Sequence, residues 1–136
     1  MSAKVFLDTN ILAYTFDRDS PSKRARTTSL LREENWAISW QVVQEFSSVA
    51  LHRFSVPLTE KDLADYIDLI LMPRCNAMPS RSIYLRALEI RKLTGYRFYD
   101  SLIVAGALES GAETLYSEDL QNGRTIGSLK IVNPFN

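Results

Sequence analysis

Short, continuously apolar runs alternate along this chain with stretches of helical spacing, and no other feature limits the fold as much. Residues 4–7 read as a strand, too short and too evenly apolar for a surface helix. Ser20-Pro21 pairs an N-cap with a proline at the first helical position and opens a helix to about Glu33. Trp36 to Trp40 reads as a second buried strand. Gln41 to Phe54 has helical spacing, with Val42, Phe46, Val49 and Arg53 on or beside one face, and Pro57 closes it. Thr59 and Asp62 resemble a capping box, with Leu58 and Leu63 as its hydrophobic staple, and predict a helix to about Met72. Its inward positions are Leu63, Tyr66, Ile67 and Ile70. A short strand is expected around Cys75–Met78. Ser80 caps a further helix, with Ile83, Ala87 and Ile90 along one side, and Gly95 ends it. Residues 101–108 are apolar nearly all round and read as a central buried helix. Glu113 to Ser117 and Leu129 to Val132 are the last strands, and residues 133–136 leave the final one. Strands alternating with helices predict an α/β, three-layer sandwich, a mostly parallel central sheet flanked by helices.

The 136 residues suit one domain, 1–136, and no repeat, low-complexity tract or Gly/Ser linker divides them. Apolar residues make up 46%, enough for a folded core. Sixteen basic and sixteen acidic side chains cancel, so the net charge does not advertise a nucleic-acid or membrane partner. No signal-peptide pattern follows Met1 and no apolar run approaches ~20 residues, so no membrane span is expected. Cys75 is the only cysteine, which rules out an internal disulfide, argues against thiolate zinc and fits a reducing cytoplasm.

The first strand, Val5-Phe6-Leu7, stops at an acid, Asp8. In parallel sheets, ligands sit beyond the carboxyl ends of the strands. Three further segments place acids at or near that edge. Glu45 lies near the start of the helix after the second strand. Asp100 opens the all-apolar helix, and Glu118-Asp119 follows the strand ending at Ser117. Carboxylates that converge within ~4–6 Å repel, and at least one becomes hard to ionise unless a cation neutralises it. An all-oxygen, acid-rich site suits Mg²⁺ or Mn²⁺, which activates water and stabilises phosphodiester oxygens during in-line displacement. Each acid also has a plainer reading. Asp8 serves as an N-cap or Asx turn, Asp100 complements a helix N-terminus, Asp119 belongs to a turn before Asn122-Gly123, and Glu45 is a solvated helix residue. The case for a metal rests on all four reaching one edge.

The pattern resembles a PIN domain, the nuclease fold of VapC-type toxins, over essentially the whole chain. The resemblance is carried by Leu7-Asp8-Thr9-Asn10-Ile11-Leu12, Gln44-Glu45-Phe46, Phe98-Tyr99-Asp100-Ser101-Leu102-Ile103 and Ser117-Glu118-Asp119-Leu120. It implies a Mg²⁺- or Mn²⁺-dependent endoribonuclease, the toxin of a toxin–antitoxin pair, acting on RNA, forming a homodimer and held by a cognate antitoxin. It also implies that Asp8 and Asp100 are the central metal ligands and catalytic acids. Glu45 completes or orients the site, and Asp119 binds a second ion or a metal-bound water. Ser117 stands where the family often has a supporting Ser or Thr, while Thr9 and Asn10 shape the loop by hydrogen bonds.

Other residues are read as structural. His52, the sole histidine, is packed or solvent-facing rather than a general base, since metal-activated water does not require one. Trp36, Trp40, Phe98 and Tyr99 are expected in the core rather than stacked on bases. Lys23, Arg24 and Arg26 form a solvated helix face. Two other functions compete. In a haloacid-dehalogenase-like phosphatase Asp8 is a nucleophile, but Asn10 stands where that family wants a second Asp. The other is a non-catalytic PIN-fold module that binds RNA or protein.

Overall fold

The computed structural model describes residues 3–136. Its strands are β1 (Val5–Leu7), β2 (Trp36–Ser39), β3 (Cys75–Ala77), β4 (Thr114–Tyr116), β5 (Thr125–Ile126) and β6 (Leu129–Val132). They form one six-stranded sheet in the order β3-β2-β1-β4-β6-β5. All neighbours run parallel except β5, which pairs antiparallel with β6. Seven α-helical segments connect them: α1 (Thr9–Ala13), α2 (Pro21–Glu33), α3 (Trp40–His52), α4 (Glu60–Tyr66), α5 (Met72–Arg74), α6 (Arg81–Thr94) and α7 (Phe98–Glu109). β1 and β2 are buried at every position, as continuous apolar strands covered on both faces must be.

The chain first builds outward on one side of β1, to β2 and β3, and then crosses to β4 on the other side. The carboxyl ends of β1 and β4 therefore flank the point where the strand order reverses, the usual place for a ligand crevice. α7 is the central helix: seven of its residues, Ser101 to Ala107, are buried. A Cβ at Gly106 would lie 3.4 Å from the Ser39 Cβ and 3.5 Å from the Phe6 Cζ, in ordinary van der Waals contact, so α7 packs directly on β1 and β2 there. The N-terminus of α7 carries Asp100 in its first turn.

Local signals account for most boundaries. The Thr59 hydroxyl accepts the Asp62 N–H at 3.1 Å, and the Ser80 hydroxyl accepts the Ile83 N–H at 3.1 Å. Gly95 ends α6 in the left-handed region, at φ 77°. Ser20 stands at the N-cap of α2 with Pro21 behind it, but its side chain makes no capping bond. The helix expected to run unbroken to Met72 instead passes through a π-type turn at Ile67–Leu71. The wider turn moves the inward position by one residue, so Leu71 is fully buried and Ile70 is 39% exposed. β5, two residues long, has no apolar run to announce it. No helix among the described residues is long and apolar enough to cross a membrane.

Candidate metal centre

Asp8 is the pivot. The backbone of β1 carries it to the sheet edge, where its N–H donates to the Tyr116 carbonyl of β4 at 3.0 Å. It ends up buried, at 7% exposure. One carboxylate oxygen accepts the Thr9 N–H at 2.8 Å, so Asp8 does cap α1. The other accepts the Ser117 hydroxyl at 2.8 Å, and Ser117 itself is fully buried. Cap and buried acid are thus the same residue.

Glu45 and Asp119 lie within electrostatic reach of it, and Asp100 within reach of Glu45 and Asp119. The Thr9 hydroxyl donates to Glu45 Oε1 at 3.2 Å, and the Asn10 amide donates to Asp119 Oδ2 at 2.9 Å. The Gln41 amide donates to the Tyr99 carbonyl at 3.0 Å and ties the start of α3 to the first turn of α7, which holds Glu45 and Asp100 on neighbouring elements. Burial pushes the Asp8 carboxyl from 3.8 to about 6, against the Ser117 and Thr9 hydrogen bonds that lower it, and the charges of Glu45 and Asp119 add to the rise. Glu45 is raised by desolvation, opposed by hydrogen bonds from Thr9 and Gln41, and raised further by the charge of Asp100. Asp100 is raised by desolvation and then by the charge of Asp119, with Arg97 opposing. The four carboxylates therefore share one electrostatic neighbourhood.

The chemistry of this donor set fits a hard divalent cation. The site has carboxylates and hydroxyls but no thiolate or imidazole, and its most buried acid ionises at a penalty that a cation relieves. The spacing is open: among the described residues no three His, Cys, Asp or Glu side chains are already arranged around one point. The Thr9 hydroxyl and the Asn10 amide hold Glu45 and Asp119 respectively. A cleft of about 510 Å³ between α1 and α3 runs up to the cluster, with Thr9, Asn10, Glu45, Asp119 and Arg53 among its lining.

Glu118 and Asp119 separate. Asp119 turns to Asn10, whereas both oxygens of Glu118 are engaged elsewhere, one by the Tyr14 hydroxyl and one by Lys23 Nζ. Burial would raise the Glu118 carboxyl, but these hydrogen bonds and the Lys23 charge outweigh it and hold it below the usual range. Lys23 is therefore paired, although its side chain stays 36% exposed, and Arg24 and Arg26 beside it are exposed as a solvated face. No local signal shows this pairing, because 95 residues separate the partners. Gln41 was likewise silent in the sequence, being one more polar residue in a helical stretch. His52 is exposed at the end of α3 and does not line the cleft. Trp36 lies in the core, and Trp40 and Phe98 pack against it. Tyr99 does not follow them: it is 69% exposed, because the first turn of α7 lifts it off the sheet beside Asp100.

The class defined by this topology and acid-lined edge is an α/β fold with a carboxylate site at its switch point. The chain matches the PIN domain family over residues 5–124 and belongs to it. No curated protein sequence matches it. Similar solved structures include a toxin–antitoxin complex from Klebsiella pneumoniae, with a TM-score of 0.68 at 21% identity, covering 96% of this chain and 97% of that one. Another is VapC20 of Mycobacterium tuberculosis, a sarcin–ricin loop cleaving toxin, with a TM-score of 0.66 at 16% identity, covering 85% of this chain and 89% of that one. A third is FitAcB from Neisseria gonorrhoeae, with a TM-score of 0.64 at 20% identity, covering 96% and 98%. At these identities the likeness is one of fold. Membership of the PIN family leaves no place for the phosphatase reading, and Asn10 serves Asp119 as a hydrogen-bond donor.

Proposed function

We propose that this protein is a Mg²⁺- or Mn²⁺-dependent endoribonuclease, a single PIN-like domain working in the cytoplasm as the toxin of a toxin–antitoxin pair. The proposal is supported by the electrostatic coupling of Asp8, Glu45, Asp100 and Asp119 near the β1–β4 switch point of a PIN-family chain. Asp8 and Asp100 are assigned as the central ligands, Glu45 as completing the site, and Asp119 as serving a second ion or its water. A divalent cation held there supplies the charge that polarises water and stabilises phosphoryl oxygens. The chain's own residues set the site up. Ser117 and the Thr9 N–H orient both oxygens of Asp8, the Thr9 hydroxyl orients Glu45, and the Asn10 amide orients Asp119. RNA as substrate is supported by the similar toxin that cleaves the sarcin–ricin loop, and a cognate antitoxin by the similar complexes. A homodimer follows from the family resemblance.

The test is cleavage of RNA by purified protein. Cleavage is expected with Mg²⁺ or Mn²⁺ and none with excess EDTA, and Asp8→Asn and Asp100→Asn should each lose most of the rate. Undiminished cleavage by either pure variant sinks the assignment. Binding of RNA without cleavage under any divalent ion returns the protein to the class of non-catalytic modules.

A further inference from the structure

Outside the acid edge, the most tightly connected group of polar side chains is the one around Glu118. Lys23 reaches it from α2, and Tyr14 from the 3₁₀ turn Tyr14–Phe16 that follows α1. Lys23 also donates to the Tyr14 hydroxyl at 3.3 Å. Its ammonium lies 4.9 Å from the Tyr14 ring centroid and 5.4 Å from that of Phe135. The two rings meet edge-on at 5.2 Å, and Arg26 Nε holds the neighbouring Pro134 carbonyl at 3.2 Å. The C-terminal segment therefore covers the flank of this group.

Glu118 sits between the two residues through which its turn touches the acid site, Ser117 and Asp119. Its own N–H donates to Asn10 Oδ1 at 3.3 Å, and the same Asn10 donates to Asp119. The Leu120 N–H donates to the Ser117 hydroxyl at 3.3 Å, which leaves that hydroxyl's proton aimed at Asp8. Anchoring both oxygens of Glu118 thus fixes a turn whose other side chains orient Asp8 and Asp119.

We propose that Lys23 and Tyr14, clamped on Glu118 and backed by Phe135, form a brace that positions Ser117 and Asp119 for cation binding. Lys23 is then a positioning residue that acts through the turn without touching a ligand. The inference rests on the cation site proposed above, and it opposes simple electrostatics. A positive charge near an acid cluster repels a cation, so deleting it should tighten binding. A brace predicts the reverse.

The experiment compares Lys23→Met, Lys23→Arg and the parent. Mn²⁺ affinity is measured by calorimetry, and amide hydrogen exchange at Glu118 and Leu120 is followed by NMR without metal. Lys23→Met is expected to weaken Mn²⁺ binding about tenfold, the usual scale for losing a residue that orients a ligand. Lys23→Arg keeps affinity within about twofold, because it can still hold the carboxylate. In an Asp119→Asn background, Lys23→Met should weaken binding clearly less than it does in the parent. Exchange at both amides should quicken in Lys23→Met and not in Lys23→Arg, with the rest of the sheet unchanged. Tighter or unchanged Mn²⁺ binding in Lys23→Met overturns the brace, as does unchanged exchange. If the parent itself binds no Mn²⁺, the cation site fails, while the exchange data still decide whether Lys23 orders the turn. Should Lys23→Met unfold, Phe135→Ala removes the backing alone, and the same weakened affinity and faster exchange are expected from it.

Discussion

Replacing Asp8 by asparagine should stabilise the metal-free protein, and the size of the effect should depend on pH. The Asp8 carboxyl, buried and facing Glu45 and Asp119, is raised from 3.8 to about 6. Once fully ionised, a carboxylate shifted that far destabilises the fold by roughly 3 kcal/mol. The sign follows from proton binding. The native state holds the proton more tightly than the unfolded chain, so the penalty is complete above pH 6 and is relieved as pH falls toward 3.8. At pH 4.5 only about 1 kcal/mol of it remains by the same linkage. Asparagine has no such penalty and still accepts the Thr9 N–H. Relative to the neutral acid, its amide NH₂ replaces the oxygen that accepts the Ser117 hydroxyl, and losing that bond costs about 1 kcal/mol. The variant should therefore be more stable by about 2 kcal/mol at pH 7.5 and about equal to the parent at pH 4.5. Urea melts in EDTA at both pH values measure this, and with m near 1–3 kcal/mol/M the midpoint at pH 7.5 should rise by roughly 1 M. An Asp8→Asn variant no more stable than the parent at pH 7.5, or equally favoured at both pH values, would show that the carboxylate is not under repulsive and desolvation strain.

Ser117→Ala removes the hydroxyl that supports the buried Asp8 carboxylate, and should cost about 1–3 kcal/mol at pH 7.5 but less at pH 4.5, where the acid is largely protonated. A pH-independent loss in urea melts would assign Ser117 to packing and the Leu120 N–H rather than to the Asp8 carboxylate. His52→Ala should keep RNA cleavage within about tenfold, or ~1.4 kcal/mol of barrier, since the imidazole is exposed and outside the cleft. A loss of several orders of magnitude with an unchanged circular dichroism spectrum would make it catalytic. Asp119→Asn should reduce metal-dependent cleavage more than Glu118→Gln, because Asp119 faces the acids while Glu118 faces Lys23. The opposite ranking would move the ligand one residue back.

The sequence made the sheet edge legible because two strong regularities act there. Continuous apolar runs such as Val5-Phe6-Leu7 have to be buried, and the first charged residue after such a run has to mark its end. Asp8 therefore stood out without any fold in hand, whereas Ser117, Thr9 and Asn10 were marked by the family resemblance. What stayed hidden was of two kinds. Pairings across long sequence separation, Lys23 with Glu118 and Gln41 with the Tyr99 carbonyl, leave no periodic trace, so Lys23 looked like one cation of a solvated face. Small departures from ideal geometry also escaped. The π-type turn at Ile67–Leu71 exchanged Ile70 for Leu71 in the core, which apolar spacing for a uniform helix does not register. Tyr99 is exposed while adjacent Phe98 stays half-buried because consecutive residues of a helix point about 100° apart.

The measurement that bears most directly on the acid site is a calorimetric Mn²⁺ titration of the parent, Asp8→Asn and Glu118→Gln under identical conditions. The account predicts saturable binding by the parent, a loss of at least about tenfold in Asp8→Asn, which lacks a ligand, and a smaller loss in Glu118→Gln, whose carboxylate acts from outside the site. Equal Mn²⁺ affinity in the parent and Asp8→Asn would contradict it, and would leave the carboxylate after Val5-Phe6-Leu7 as the cap of α1 and nothing more.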